Sequence, residues 1–453
     1  MLGVSITAAA AAMGGHRLGH HVAMVAQPQP QPALTADERQ MLGGAAGPAL
    51  QLAMEVIKTV AAVAGADRLI PIDSAHIDSC LYHGTVGLDF AERLAAGGGR
   101  VRVPTTLNVS SLDLLHPDLV RLDPESRSRA RRLMDAYVEM GCQPTWTCAP
   151  YQLPDRPAFG RDVCWAESNA IVFANSVLGA RTDRYGDFID ICAALTGRVP
   201  YAGLHRPEER LARLVVDAGG LPAAAYDADE LYALIGHAVG LAAGSAVPAI
   251  VGLPPDTTED QLKALGAAAA SSGSVALCHV VGVTPEAATL DDALGGRQPE
   301  HVVQLTAARL RQAWDELSTT DERAGLAAVS LGTPHFSVAE FERLAGLFAG
   351  QPVHPAVTLY VSTARHVLAE LERTGRLAAF ERPGIQLVVD TCTYITPILD
   401  LAGPGAVMTN SAKWAWYGPG NLGVEVVFGS LADCVRSAVQ GKVIRERPGW
   451  LDG

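Results

Sequence analysis

Reactive side chains recur in this chain where predicted strands end. In open α/β sheets the loops at strand ends hold ligands, because a rigid strand fixes the position of a side chain that the loop leaves accessible. The strand ends that carry such groups are Thr147-Cys148, Asn175-Ser176, Cys278-His279, Pro334-His335, Thr391-Cys392 and the segment from Asn410 to Lys413. Thiol, imidazole, amide, hydroxyl and ammonium groups in these places predict one metal-dependent enzyme site.

The eight cysteines limit the kind of metal site. Zinc sites usually contain two cysteines that are two to four positions apart, and the sequence has no such pair. An iron–sulfur cluster can instead take its thiolates from distant positions. Cys148 and Cys392 have the best context, because each follows an apolar run and a threonine and precedes a tyrosine; Cys278 is the third candidate ligand. The alternative interpretation for each cysteine is a small buried hydrophobic residue.

Other polar side chains supply candidate catalytic and substrate-binding groups. His76 and His335 are candidate acid–base residues, and a purely structural histidine is the alternative for His76. Arg181 is a candidate clamp for a substrate carboxylate, with an ion pair between lobes as the alternative. The candidate set is His76, Glu167, Ser176, His335 and Lys413 for catalysis, and Thr105, Asn108, Ser168, Asn169, Asn175, Arg181, Asn410 and Ser411 for substrate binding.

Bulk composition favours a globular enzyme with more than one lobe. The chain has 453 residues, of which 18% are charged and 49% hydrophobic, so it is too long for one core and too apolar for a disordered protein. A net charge of −13 argues against nucleic-acid binding, and no apolar run of about 20 residues after position 30 predicts a membrane span. These features and the unpaired spacing of the cysteines predict a cytoplasmic protein.

The first 33 residues differ from the rest of the chain. They contain a Gln-Pro repeat, and their basic residues follow the weakly apolar stretch instead of preceding it, which is not the order of a secretion signal. Residues 1–33 are therefore interpreted as a disordered extension or a misplaced start.

Apolar runs alternate with helical patterns, which predicts an α/β fold with mostly parallel sheets flanked by helices. Two capping boxes, Thr35 with Glu38 and Ser337 with Glu340, predict helix starts. A charged stretch at 309–323 suggests two regions, 34–295 and 296–453. Strands are predicted at 68–73, 100–104, 170–174, 248–253, 274–283, 326–331, 355–361, 386–389 and 423–428, and helices at 124–141, 204–217, 227–243, 258–272, 300–318, 337–349 and 363–380.

Motifs spread over residues 34–453 together resemble one family. They are Thr147-Cys-Ala-Pro-Tyr151, the segments Trp165 to Asn169, Phe173 to Thr182, Val281 to Glu286 and Leu331 to His335, then Asp390-Thr-Cys392 and Thr409 to Lys413. In this order they resemble the catalytic (large) part of aconitase X, a divergent branch of the aconitase superfamily. The resemblance implies an aconitase-like α/β fold, an iron–sulfur cluster and a hydro-lyase activity that dehydrates cis-3-hydroxy-L-proline or mevalonate 5-phosphate.

The resemblance also implies a partner. The large part of this family usually works with a small swivelling domain, fused or separate, that contributes a serine to the site; 453 residues leave no room for it, so a small subunit is expected. The absence of a Walker-type loop and of a basic patch at the strand ends favours a hydroxyproline-like acid over the phosphorylated substrate. A non-catalytic aconitase-like scaffold and a cluster-free enzyme that uses a divalent cation are the alternatives.

Overall fold

In the computed structural model, residues 31–321, 323–401 and 405–452 are described, so the extension predicted at 1–33 lies outside the described residues except for its last three positions. The strands are β1 (Leu69–Pro71), β2 (Ala75–Ile77), β3 (Thr105–Leu107), β4 (Cys164–Trp165), β5 (Arg198–Pro200), β6 (Leu214–Asp217), β7 (Pro248–Val251), β8 (His279–Val280), β9 (His301–Gln304), β10 (Leu326–Phe336), β11 (Thr358–Thr363), β12 (Ile385–Val388), β13 (Ala406–Thr409) and β14 (Val426–Phe428). The helices are α1 (Ala36–Leu42), α2 (Pro48–Val63), α3 (Thr85–Ala96), α4 (Pro124–Glu139), α5 (Ser168–Ser176), α6 (Ile189–Thr196), α7 (Asp229–Ala243), α8 (Glu259–Ser272), α9 (Leu290–Leu294), α10 (Ala307–Glu316), α11 (Val338–Phe348), α12 (Arg365–Arg373), α13 (Ala412–Leu422) and α14 (Leu431–Gln440).

The predicted α/β class with mostly parallel sheets is confirmed. The described strands form sheets with the orders β1-β5, β3-β2-β4, β8-β7-β6-β9 and β12-β11-β10-β13-β14. Within these sheets β1 and β5 pair antiparallel, and every other named pair is parallel. Helices cover the sheets, as parallel sheets require on both faces.

The three-stranded sheet places three polar residues at the same edge. Its strands are parallel, so their carboxyl ends lie at one edge. Asp78 directly follows β2, Asn108 directly follows β3, and Glu167 comes two positions after β4. The loops that carry these three residues therefore begin next to one another.

The five-stranded sheet provides the second set of strand ends. His335 belongs to the last residues of β10, Cys392 lies on the loop after β12, and Lys413 is the second residue of α13, which follows β13. Its core is built from alternating buried residues such as Val329, Leu331 and Leu359.

Helices α7 and α8 pack unusually closely. A Cβ atom on Gly236 would lie 2.1 Å from the carbonyl oxygen of Leu265, so only glycine permits this approach of the two backbones. Helix α8 also packs against α5 and α13, which begin beside Glu167 and Lys413. The α7–α8 pair thus supports both helices of the site described below.

Several elements differ from the sequence-based prediction. Residues 170–174 belong to helix α5, which is buried on all sides, and a short apolar run buried all round does not distinguish strand from helix. The helix predicted at 204–217 is instead two 3₁₀ turns followed by β6, because Pro207 interrupts it and Val215 and Val216 favour a strand. The helix predicted at 300–318 begins with β9, and the strand predicted at 274–283 is reduced to β8.

Other predicted starts are confirmed or shifted by a few positions. Both capping boxes are present at α1 and α11. The strand predicted at 100–104 lies at β3, after Pro104, which has no N–H to donate to a neighbouring strand. Among the residues described, no helix combines the length and the apolar character that crossing a bilayer demands.

Candidate active site

Three buried side chains that can bind a metal converge in the described structure. One ligand atom each from Cys148, His335 and Cys392 lies within 4.8 Å of the other two. His335 and Cys392 come from the five-stranded sheet, whereas Cys148 lies on the loop after α4. The two cysteines with the strongest sequence context are therefore neighbours in space, and the imidazole joins them.

His335 is held as a neutral imidazole. Burial lowers its pKa to about 4, although the Thr391 carbonyl opposes the shift. Nε2 lies 3.1 Å from the Thr391 carbonyl oxygen, and Nδ1 lies 3.2 Å from Thr147 Oγ1. A carbonyl oxygen only accepts, so we assign the proton to Nε2, which leaves the Nδ1 lone pair for Thr147 or for a metal. Metal-binding histidines commonly donate their other N–H to a carbonyl in this way.

The two thiols also interact with each other. A hydrogen bond with Cys148 and burial raise the pKa of Cys392 well above its ordinary value, and Lys413 opposes the shift. The backbone N–H of His335 donates to Cys148 Sγ at 3.3 Å. A metal takes the place of the thiol protons, because thiolates are the ligands. Two thiolates and an imidazole fit an iron–sulfur cluster, and they fit a single transition-metal ion as well.

Lys413 and Glu167 form a buried ion pair beside these donors. Lys413 Nζ bonds to Glu167 Oε1 and lies 3.1 Å from Ser168 Oγ; the two charged side chains are 2% and 5% exposed. Burial alone would lower the pKa of Lys413, but the Glu167 carboxylate outweighs it and holds this pKa well above its ordinary value. The site therefore contains a permanently charged ammonium group.

Glu167 and Asn169 fix the geometry around the pair. Glu167 Oε2 accepts the backbone N–H of Ala170 at 2.8 Å, so this carboxylate is also the N-cap of α5. Asn169 donates to the Cys148 carbonyl oxygen at 3.0 Å and accepts from Tyr151 Oη at 2.6 Å. The start of α5 thus positions the Lys413 counter-ion and the Cys148 loop together.

One cavity of about 380 Å³ connects these groups. Its wall includes Asp78, Asn108, Cys148, Glu167, Ser168 and Lys413. Carboxyl, amide, thiol, hydroxyl and ammonium groups therefore converge on a space large enough for a small acid. Ser411 caps α13, accepting from the Trp414 N–H at 3.1 Å, and with Asn410 it lines a smaller cavity next to Lys413.

Other sequence-predicted residues lie outside this cavity wall. Asn175 is buried in hydrogen bonds to Thr182 and Arg210, and Ser176 Oγ lies 3.6 Å from Cys278 Sγ. Thr105 Oγ1 donates to the Val103 carbonyl at 2.8 Å. The remaining predicted residue of this region, Arg181, is half-buried with its Nε unpaired.

His76 is completely buried and packs against Trp165. Burial lowers its pKa to about 3, and its Nδ1 lies 2.8 Å from Thr106 Oγ1. This imidazole is therefore neutral and does not line the cavity.

The sequence analysis missed cavity residues that also follow strands or begin loops. Asp78 comes directly after β2, two positions beyond His76, and Tyr394 comes two positions after Cys392. The available signal for Tyr394 was its place next to Cys392, whereas β2, the strand before Asp78, is not among the predicted strands.

Fold and site together define a class: a parallel α/β protein in which buried thiol and imidazole donors share a cavity with a lysine. Family models of aconitase X match three consecutive stretches, its first domain at residues 31–208, its second at 212–315 and its third at 326–440. The chain belongs to the aconitase X family.

The curated relatives are dehydratases. A cis-3-hydroxy-L-proline dehydratase of Pseudomonas aeruginosa is 46% identical over 93% of this chain and 72% of its own length, and one of Hypocrea jecorina is 43% identical over 92% and 70%. The phosphomevalonate dehydratase large subunit of Methanosarcina mazei is 34% identical over 90% of this chain and 98% of its own. The crystal structure of Thermococcus kodakaraensis aconitase X in its holo form has a TM-score of 0.79 and 31% identity, covering 90% of this chain and all of that one.

Proposed function

We propose that this chain is the large, catalytic part of an iron–sulfur-dependent hydro-lyase that dehydrates cis-3-hydroxy-L-proline or a similar small hydroxy acid. The observation that carries the proposal is the convergence of Cys148, Cys392 and His335 at 4.8 Å or less, next to the cavity that Lys413 and Glu167 line. Such a donor set beside a fixed cation suits a substrate that has both a hydroxyl and a carboxylate.

The chain's own residues have distinct roles in this proposal. Cys148, Cys392 and His335 Nδ1 hold the metal group. When bound, that group supplies a Lewis acid for the substrate hydroxyl. Lys413 binds the substrate carboxylate and stabilises the negative charge that develops when the α proton leaves, with Ser168 as a neighbouring hydroxyl donor. Glu167 keeps Lys413 charged and in place.

Relatedness favours the hydroxyproline substrate. The two cis-3-hydroxy-L-proline dehydratases share 46% and 43% identity with this chain, against 34% for the Methanosarcina phosphomevalonate dehydratase large subunit. The archaeal relatives, at 32–36% identity, are phosphomevalonate dehydratase large subunits. Mevalonate 5-phosphate is therefore the second candidate substrate.

A small swivelling-domain subunit is proposed as the partner. The archaeal relatives are by name large subunits of a dehydratase, which supports a second, smaller subunit. We propose that this partner contributes the base that removes the α proton.

The test is anaerobic co-expression with the small-domain partner, followed by iron and sulfide analysis and a dehydration screen over hydroxyprolines and mevalonate 5-phosphate. We expect iron, sulfide and turnover of cis-3-hydroxy-L-proline, and loss of all three in the Cys148→Ser/Cys392→Ser double variant. Cys434→Ser is the matched control, since that buried thiol packs in the core under the five-stranded sheet. Absence of iron and sulfide from the wild-type complex would refute the proposal.

A further inference from the structure

Besides Glu167, the cavity wall carries the carboxyl groups of Asp78 and Asp187, and none of the roles above uses Asp78. Asp78 directly follows β2 and shares the cavity wall with Cys148, Glu167, Ser168 and Lys413. Its side chain is half-buried, and Asp78 lines the space that the substrate would occupy.

The loop that carries Asp78 is fixed by a second, fully buried carboxylate. Asp190 Oδ2 accepts the backbone N–H groups of Asp78 and Ser79 at 2.8 and 3.0 Å, and Asp190 Oδ1 accepts Ser79 Oγ at 2.8 Å. Tyr137 Oη lies 2.6 Å from Ser79 Oγ. A loop held by four such contacts keeps the Asp78 side chain in a defined position.

The amide of Asn108 orients the carboxyl group. Asn108 Nδ2 donates to Asp78 Oδ1. The same amide faces His76: burial lowers the pKa of this imidazole, and the interaction with Asn108 partly opposes the shift. Within the described residues, Asp78 Oδ2 has no hydrogen-bond partner. Because Oδ1 already accepts from Asn108, a proton on this carboxyl resides on Oδ2, on the side without a protein partner.

The surroundings of Asp78 favour its neutral form. Burial first, and then the carboxylates of Glu167, Asp187 and Asp190, raise its pKa to about 8, while the Asn108 hydrogen bond opposes the shift. The basic groups that share the cavity wall are Lys413, which Glu167 neutralises, and Arg184 and His83. The other titratable groups of the wall are Cys148, Asp187, Tyr185, Tyr394 and Tyr417. Asp78 is therefore a carboxylic acid near neutral pH.

We propose that Asp78 is a catalytic residue, the general acid that protonates the departing hydroxyl of the substrate; the inference rests on the hydro-lyase function proposed above. The C–H bond α to the carboxylate breaks, its electron pair forms the new C=C double bond, and its proton goes to the base of the partner, which later releases it to solvent. The C–O bond breaks, and its electron pair leaves with oxygen. Asp78 Oδ2 donates a proton to that oxygen, so water leaves, and the Asp78 carboxylate regains a proton from solvent before the next turnover.

The first test is the pH profile of kcat for the iron-loaded complex with its partner. In the wild type, kcat should fall as the pH rises through about 8, because Asp78 then loses the proton that it must donate. Asp78→Asn should lower kcat by about 10²- to 10⁴-fold with little change in KM and should abolish this basic limb. Asp78→Glu should keep the limb and recover part of the rate, and Asp187→Asn should move the limb to lower pH by removing one nearby charge.

A substrate analogue separates proton donation from a structural role. Chloride leaves without a proton, so Asp78→Asn should eliminate HCl from cis-3-chloro-L-proline at nearly the wild-type rate. An equal loss on both substrates would overturn the general-acid role.

Infrared difference spectroscopy gives a readout that does not depend on turnover. Burial also raises the pKa values of Glu230 and Glu340 to about 7, so their carboxylic-acid bands overlap that of Asp78. In the wild-type minus Asp78→Asn difference spectrum, a carboxylic-acid carbonyl band should be present at pH 7 and should disappear above about pH 9. The exposed Glu55→Gln variant should retain both the band and the wild-type pH profile.

The outcomes separate the two proposals. If the wild type is active and Asp78→Asn keeps both its rate and the fall of kcat at high pH, the general-acid role alone is overturned. A wild-type complex that shows the infrared band but dehydrates none of the acids overturns the proposed function, and the role of Asp78 with it.

Discussion

Cys278 and His335 differ in what surrounds their donor atoms, and this difference bears on the third metal ligand. Cys278 Sγ lies 3.6 Å from Ser176 Oγ, and burial raises its pKa to about 11. His335 Nε2 donates its proton to the Thr391 carbonyl oxygen. A ring nitrogen of His335 lies within 4.8 Å of the sulfur atoms of Cys148 and Cys392. The sequence analysis proposes Cys278 as the third metal ligand, whereas the distances in the structure favour His335.

Iron binding by variants decides between these two residues. We expect His335→Ala to bind iron at least about tenfold more weakly than the wild type, because one ligand is lost, and Cys278→Ser to bind it normally. Anaerobic reconstitution followed by iron quantification measures both. The reverse result would make Cys278 the third ligand and His335 a neighbour only.

Sequence reasoning at the residue scale singled out reactive groups that stand at strand ends. It selected Cys148, Cys392 and Lys413 because their types are chemically unusual in those places, and their functional roles stay predictions. It did not find Asp78, because a lone aspartate after a strand is also an ordinary turn residue. Asp78 is distinguished by the nearby carboxylates of Glu167, Asp187 and Asp190, which come close to it only when β2, β4 and α6 are folded together.

At the scale of elements, helix α5 shows why an apolar run is ambiguous. All its residues except Ser168 are buried, so its pattern has neither the period of an amphipathic helix nor that of a half-buried strand. Glu167 caps the helix locally by accepting the Ala170 N–H, and its other carboxylate oxygen pairs with Lys413, a tertiary contact that the sequence does not show. The amphipathic helix α11 and the parallel strands were predictable, since their patterns are local.

The close packing of α7 on α8 gives a prediction for two glycines. Gly236→Ala should lower the free energy of unfolding by about 2 kcal/mol or more, because its Cβ would collide with the Leu265 carbonyl. Gly346→Ala in α11 meets open space and should raise it by about 0.5–1 kcal/mol. Urea unfolding of both variants tests this; equal effects would contradict the packing argument.

At the scale of the whole molecule, the site joins distant parts of the chain. Cys148 and Glu167 lie in the stretch matched by the first aconitase X domain, and His335, Cys392 and Lys413 lie in the stretch matched by the third. The strand-end positions of these residues and the family resemblance both predict one shared site, and the distances within it come from the tertiary structure. The division into regions 34–295 and 296–453 stays a proposal.

A metal that joins two parts of the chain should stabilise the whole. Because iron binds the folded site and not the unfolded chain, its removal by a chelator under anaerobic conditions should lower the Tm by several degrees. The Cys148→Ser/Cys392→Ser variant should show no such change. Calorimetry with and without chelator measures the effect, and an unchanged wild-type Tm would show that the metal contributes nothing to stability.

The double use of Glu167 has an evolutionary consequence. The same carboxylate begins α5 and neutralises Lys413, so replacing either partner alone leaves a buried charge without its counter-ion. Lineages can therefore change these two positions only in concert. In diverging descendants of this protein, substitutions at 167 and 413 should appear as correlated pairs, even where the surrounding loops drift freely.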